Sequence, residues 1–82
     1  MYITVKKREN KKDISVFYLY VCESVRVEGK VKNTQRYFGS INETDLADDN
    51  LEVLDKAEET GKWKEDEIEL VERKLHEIKK KL

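Results

Sequence analysis

Apolar and polar positions alternate along the first half of the chain. Residues 2–7 alternate strictly and are rich in Ile, Val, Thr and Tyr, which is typical of a short strand. Residues 14–27 form a longer β-branched and aromatic run, and residues 31–38 form a third. The charged segment 8–13 and the glycine-containing pair 28–29 interrupt the pattern and predict turns. The first half therefore predicts an antiparallel meander of three strands.

The second half has helical spacing. Gly39 is predicted to end the third strand, and Thr44, Asp48 or Asp49 can cap a helix that runs to about residue 60. The residues expected to face inward from this helix are Leu46, Leu51, Leu54 and Ala57. A second helix is predicted from about residue 64 to residue 81, with acids in its first turn and lysines in its last, which matches the helix dipole.

The apolar residues of the last helix are spaced alternately three and four positions apart. Such a stripe can pack on the chain's own sheet, or it can form a short coiled-coil seam between two copies. The first interpretation is favoured because the sheet needs a cover. The residues of the alternative partner interface are Ile68, Val71, Leu75, Ile78 and Leu82.

These elements predict one small α+β domain over residues 1–82, in the order βββαα, with two helices packed on one sheet face. Residues 1–41 would form a basic sheet and residues 44–82 an acidic helical pair. Residues 1–40 carry nine Lys or Arg and four Asp or Glu, whereas residues 41–82 carry eight and fourteen. Because nucleic acid is a dense line of phosphate charge, the basic half points to DNA as a partner.

The faces of the sheet depend on the second hairpin. A two-residue loop would place Val25 and Val27 opposite lysines, so a three-residue loop with Gly29 in a left-handed conformation is predicted. The expected inner face is Phe17, Leu19, Val21, Val25, Val27, Val31 and Tyr37. The expected outer face is Tyr18, Tyr20, Cys22, Ser24, Arg26, Lys32, Thr34 and Arg36.

The basic residues of this hairpin are the candidate nucleic-acid contacts. A strand ribbon can enter a major groove, where Arg binds guanine and Gln reads adenine. The candidate residues are Arg26, Lys30, Lys32, Thr34, Gln35 and Arg36, and the first turn (Lys6, Lys7, Arg8, Lys11 and Lys12) can extend the footprint. The alternative is that these charges only keep the sheet soluble and discourage edge pairing.

Aromatic side chains on the strands have two interpretations as well. Tyr18, Tyr20, Tyr37 and Phe38 can stack on the bases of a single strand. Core or cross-strand packing is the more common role of aromatics on strands, and it is the favoured interpretation.

The sequence offers little for catalysis. Cys22 is the single cysteine and has no identifiable base beside it, and the acidic helices lack the spacing of a calcium loop. We therefore expect a protein that is not an enzyme and that has no cofactor, metal or small-molecule partner. No signal peptide or apolar span is evident, so a cytoplasmic location without a membrane partner is expected.

Residues 20–41 resemble the N-terminal region of some bacterial insertion-sequence transposases. That region runs as a tyrosine-rich strand, Glu-Ser-x-Arg, a Gly-Lys turn, a basic strand with Gln, and Leu-Gly before helices. The matching motifs here are Glu23-Ser24-Val25-Arg26, Gly29-Lys30, Gln35 and Phe38-Gly39, the last in the place of Leu-Gly. The resemblance covers roughly residues 2–60 and omits the catalytic nuclease domain.

The resemblance implies a DNA-associated module from a mobile element or phage, with Arg26, Lys30, Lys32 and Gln35 at the DNA. The expected function is therefore that of a small non-enzymatic DNA-binding module. The alternative is a protein-interaction or homodimerisation module that uses the acidic helices and the C-terminal apolar stripe.

Overall fold

The computed structural model describes residues 1–82. It contains three strands followed by three helices, in the order βββααα. The strands are β1 (Tyr2–Glu9), β2 (Ser15–Val27) and β3 (Lys30–Asn42), and the helices are α1 (Glu43–Ala47), α2 (Glu52–Thr60) and α3 (Glu65–Lys80). The predicted α+β architecture, a meander followed by helices, is confirmed.

The three strands form one antiparallel sheet in the order β1-β2-β3. Asn10 closes the first turn, because its side-chain Oδ1 accepts hydrogen bonds from the backbone N–H groups of Lys12 and Ile14. Strand β1 pairs with β2 from Glu9 opposite Ser15 to Tyr2 opposite Cys22. Strands β1 and β3 are the outer strands, and each has one edge that pairs with no other strand.

The predicted three-residue loop in the second hairpin is wrong. Val27 lies opposite Lys30, so the loop has two residues, and both Glu28 (φ 51°) and Gly29 (φ 79°) have positive φ. This is the pattern of a type I′ turn, which matches the twist of the flanking strands. The consequence is that Val31 and Tyr37 lie on the face that was predicted to be outer, while Lys32, Thr34 and Arg36 lie on the face predicted to be inner.

A β-bulge restores the apolar pattern further along β3. Leu19 lies opposite Gly39 but Tyr20 lies opposite Tyr37, so Phe38 is the extra residue. Beyond this shift the apolar residues of β3 face the helices, and both Phe38 and Ile41 are buried. The strand does not end at Gly39, as predicted, but continues to Asn42.

The end of the second hairpin projects from the rest of the molecule. Since β1 reaches only Cys22, residues 23–36 form a two-stranded ribbon without a third strand. Every residue of this ribbon is exposed, and the molecule measures 46 × 26 × 22 Å. Because the side chains of the ribbon are not part of the core, Val25 and Val27 can lie opposite lysines.

The core lies between the other end of the sheet and the helices. Leu19 and Leu75 are fully buried at its centre, and Leu46 is 1% exposed. The other buried members are Phe17, Val21, Phe38, Ile41, Val53, Leu54, Ala57 and Val71. This cluster confirms the predicted inward contacts of Leu46, Leu54 and Ala57, with Leu51 packed at its margin.

The single helix predicted to end near residue 60 is two helices. Asn42 caps α1, since its side-chain oxygen accepts a hydrogen bond from the backbone N–H of Asp45. The chain then breaks at Asp49, whose φ is 59°, before α2 begins. Gly39 of β3 faces α2, and a Cβ at this glycine would clash with Cγ2 of Val53.

Helix α3 packs on its own sheet, as favoured from the sequence. Val71 and Leu75 are fully buried, and Ile68 and Ile78 pack against the core from its margin. Leu82 is the exposed end of the stripe. The centre of the alternative partner interface is therefore already occupied by the chain's own core.

An ion pair joins the turn after α1 to the last turn of α3, between Asp49 and Lys79. The hydrogen bond from Lys79, followed by its positive charge, lowers the pKa of Asp49 from its ordinary value of 3.8. A carboxyl with a lowered pKa contributes stability that is present above its unfolded value and is lost as pH falls through the lowered value. We expect Lys79→Gln to raise the Asp49 midpoint in a ¹³C carboxyl NMR titration; an unchanged midpoint would show that the pair does not persist in solution.

Candidate nucleic-acid interface

One face of the sheet is covered by helices and the other is not. We call the uncovered side the open face. Residues directly opposite in an antiparallel pair point to the same side, so the register defines its members. The open face comprises Tyr2, Thr4, Lys6 and Arg8 of β1, Val16, Tyr18, Tyr20, Cys22, Ser24 and Arg26 of β2, and Val31, Asn33, Gln35, Tyr37, Ser40 and Asn42 of β3.

The charges on the open face have one sign. It carries Lys6, Arg8 and Arg26 and has no Asp or Glu among its members. The acids of β1 and β2, Glu9 and Glu23, point to the opposite side. The helix side of the strands also carries cations, Lys7, Lys30, Lys32 and Arg36, but it shares them with these acids, so the open face is the side on which positive potential is unopposed within the strands.

All four tyrosines of the chain lie on the open face. Tyr20 and Tyr37 are directly opposite in β2 and β3, with ring centroids 5.5 Å apart at 59°. Tyr2 and Tyr37 are about half exposed, at 48% and 52%, and the ammonium of Lys6 lies 5.0 Å from the centre of the Tyr20 ring. The face thus combines aromatic surface with cations, which is the composition of stacking platforms for nucleic-acid bases.

Lys6, Arg8, Tyr18 and Tyr20 surround a shallow depression on this face. Lys6 and Tyr18 are cross-strand partners, as are Arg8 and Val16. Two cations and two phenol rings are thereby brought to one place from two strands. A phosphate and its base could contact both kinds of group here.

The register divides the candidate site residues between the two faces of the ribbon. Arg26 and Gln35 lie on the open face, whereas Lys30, Lys32, Thr34 and Arg36 lie on the helix side. All six residues lie on the two strands of the ribbon, and all six are exposed. The contact of all six with nucleic acid is a prediction from the sequence, and only Arg26 and Gln35 share the open face with the tyrosines.

Arg36 is engaged within the protein. Its guanidinium forms an ion pair with Glu67 of α3, a carboxylate that is 3% exposed, and it lies 4.8 Å from the centre of the Trp63 ring. The other oxygen of Glu67 accepts a hydrogen bond of 2.9 Å from the backbone N–H of Lys64 at the start of α3. Arg36 therefore links the base of the ribbon to α3 and is less available to a ligand than Arg26.

Tyr2 was not among the predicted site residues, and Lys6 and Arg8 were expected only to extend the footprint. The signal that identifies them is the period of two along β1, which places Tyr2, Lys6 and Arg8 on one side. The period alone does not tell which face of the sheet these residues share. The β1–β2 register, in which Lys6 is opposite Tyr18, shows that they lie on the same face as the tyrosines of β2.

Groups for other chemistry are few. Cys22 is buried and unpaired, and its sulfur lies 3.2 Å from the hydroxyl oxygen of Thr4. No three His, Cys, Asp or Glu side chains come together as a metal site. None of the helices has the length and apolar character needed to cross a bilayer.

Comparison with protein-family models, with curated protein sequences and with solved structures found no match to this chain.

Proposed function

We propose that this chain is a small non-enzymatic DNA-binding module that contacts nucleic acid through the open face. The observation that carries the proposal is the segregation of charge and tyrosine: three cations, four tyrosines and no acid on the one sheet face without helices. The resemblance to transposase N-terminal regions supports DNA as the partner and a mobile element or phage as the source.

Two parts of the face have different roles in the proposal. The cations Lys6, Arg8 and Arg26 meet phosphates, which supplies affinity without reading sequence. Asn33 and Gln35 are the polar side chains beside them that can read base edges. Asn33 accepts a hydrogen bond of 2.8 Å from the hydroxyl of Ser24, which orients its amide on the ribbon.

The test is a change of charge on one face at a time. We expect Lys6→Ala with Arg26→Ala to weaken binding of a generic DNA oligonucleotide roughly tenfold at low salt, and to reduce the salt slope by about 0.7 to 0.9 for each phosphate contact removed. Fluorescence anisotropy across a salt series measures both quantities.

The matched control removes the same charge from the other side of the sheet. Lys7 and Lys32 are exposed and point away from the open face, next to Lys6 in sequence and beside Arg26 in the ribbon. Lys7→Ala with Lys32→Ala should leave the affinity within about twofold if the open face is the interface. An equal loss in both double variants would mean that net charge, and not this face, determines binding.

The tyrosines distinguish a single strand from a duplex. Bases in a duplex are stacked on one another, whereas unpaired bases can stack on aromatic rings, at about 1–3 kcal/mol for each base. Tyr20→Leu keeps an apolar strand residue but removes the ring. If the tyrosines hold unpaired bases, this variant should weaken binding of a single strand much more than binding of a duplex of the same sequence.

A further inference from the structure

A cleft of about 500 Å³ runs along the free edge of β3. Six consecutive residues, Tyr37 to Asn42, line one of its sides. Tyr37, Ser40 and Asn42 belong to the open face and Gly39 and Ile41 to the helix side, so the cleft extends to both sides of the edge strand. The other side of the cleft is α2, through Val53, Ala57 and Thr60, with Trp63 at one end.

This part of the edge lacks the usual protection against strand pairing. Edge strands expose a row of unpaired backbone N–H and C=O groups, and proteins shield them with charges, prolines or bulges. The bulge at Phe38 lies at the beginning of the stretch, and residues 39–42 contain no charge and no proline. Gly39 also lets α2 pack close to β3, so that the helix lies beside this edge of the sheet.

The surroundings of the cleft are strongly acidic. Residues 43–60, which contain α1 and α2, hold eight Asp or Glu and a single Lys. Asp45 and Glu52 line the cleft directly, and Lys56 is the one cation that does so. A segment that lies in this cleft therefore meets negative potential, which favours a positively charged occupant.

We propose that the groove between β3 and α2 binds an extended, basic peptide segment of a partner protein by adding it as a fourth strand to the sheet. Backbone hydrogen bonds to residues 39–42 supply the affinity, in the manner of β-strand addition. Alternate side chains of the peptide rest on Val53 and Ala57, and its cations meet Asp45 and Glu52. The cleft borders the open face, with which it shares Tyr37 and Ser40, but none of the open-face cations Lys6, Arg8 and Arg26 lines it, so this proposal does not depend on DNA binding.

The chain carries its own reporter for this site. Trp63 is the only tryptophan, it lines the cleft, and its ring packs on Phe38 at 4.9 Å between centroids. Its fluorescence should change when a peptide fills the groove. The probe is a synthetic peptide of strand length that alternates Val with Lys, and the companion peptide alternates Val with Glu.

The expected result is saturable binding of the Val–Lys peptide and at least tenfold weaker binding of the Val–Glu peptide. Methylation of the peptide's backbone nitrogens on the side that faces β3 should abolish binding, because it removes the hydrogen-bond donors. Binding that survives methylation excludes strand addition, and a folded protein that binds neither peptide overturns the proposal.

A charge-reversal pair locates the site. Glu52 and Asp55 both lie in the first turn of α2 and are exposed, but only Glu52 lines the cleft. We expect Glu52→Lys to weaken binding of the Val–Lys peptide roughly fivefold and Asp55→Lys to have less than half that effect. Both substitutions change the net charge equally, so the difference between them reports which acid lies beside the peptide. Equal effects would place the peptide outside the groove. The double variant Lys6→Ala with Arg26→Ala should leave peptide binding unchanged, which separates this test from that of the open face.

Discussion

The substitution Leu75→Glu should leave the chain unfolded. Leu75 is fully buried at the centre of the core, where it packs with sheet and helix residues together. Removing a buried leucine side chain costs about 2–5 kcal/mol, and a carboxylate without a partner in the same place adds to that cost. A domain of this size has roughly 4–12 kcal/mol of stability, so the variant is expected to lose most or all of it.

Circular dichroism and solution mass measure this outcome. The same two methods distinguish the two interpretations of the apolar stripe on α3. If the stripe were a seam between two copies, Leu75→Glu would give a folded monomer, and that result would contradict the packing described above. Leu82→Glu is the matched control, because Leu82 belongs to the same stripe but is 52% exposed, and its stability should change by less than about 0.5 kcal/mol.

Gly39→Ala should destabilise the protein by about 1–3 kcal/mol, the usual cost of an extra methyl group in a packed contact. The new Cβ would clash with Cγ2 of Val53, so either the Val53 side chain or α2 has to shift. For a domain of this length each kcal/mol lowers the melting temperature by about 4–8 °C. Thermal unfolding followed by circular dichroism gives the change directly.

A double-mutant cycle shows whether the contact with Val53 is the cause. Val53→Ala removes the methyl group that would clash, at its own cost in buried surface. In that background Gly39→Ala should be much less harmful than in the wild-type protein. If the two losses simply add, the glycine is required for another reason, such as the backbone geometry next to the bulge.

The sequence predicted the elements well where one face of each is buried. The period of two in β1 and β2 and the three-four spacing in α3 reflect burial on one side, and each of these elements was located to within a few residues. The break between α1 and α2 was missed because leucines on both sides of Asp49 continue a helical spacing across a residue with positive φ.

The register of the second hairpin could not be predicted in the same way. The rule that apolar residues share a buried face favoured a three-residue loop, but residues 25–31 project beyond the core and bury nothing. The turn geometry of Glu28 and Gly29 determines the register there, and the bulge at Phe38 corrects it only where the core begins. As a result Arg26 was correctly placed on the open face, whereas Lys32, Thr34 and Arg36 were not. The partner of Arg36, Glu67, is 31 residues away.

The ribbon of residues 23–36 also makes the length of the molecule largely independent of its stability. Since Arg36 at its base is the ribbon residue that contacts α3, the length of the ribbon beyond Arg36 can change without a change in packing. An insertion of two residues in each strand preserves the face of every side chain and lengthens the ribbon by about 7 Å. An insertion of one residue in each strand moves the tip by half that distance and turns every side chain beyond it to the opposite face. In a set of related chains, ribbon lengths that differ in steps of two residues per strand would therefore indicate that the two faces of the ribbon have different functions.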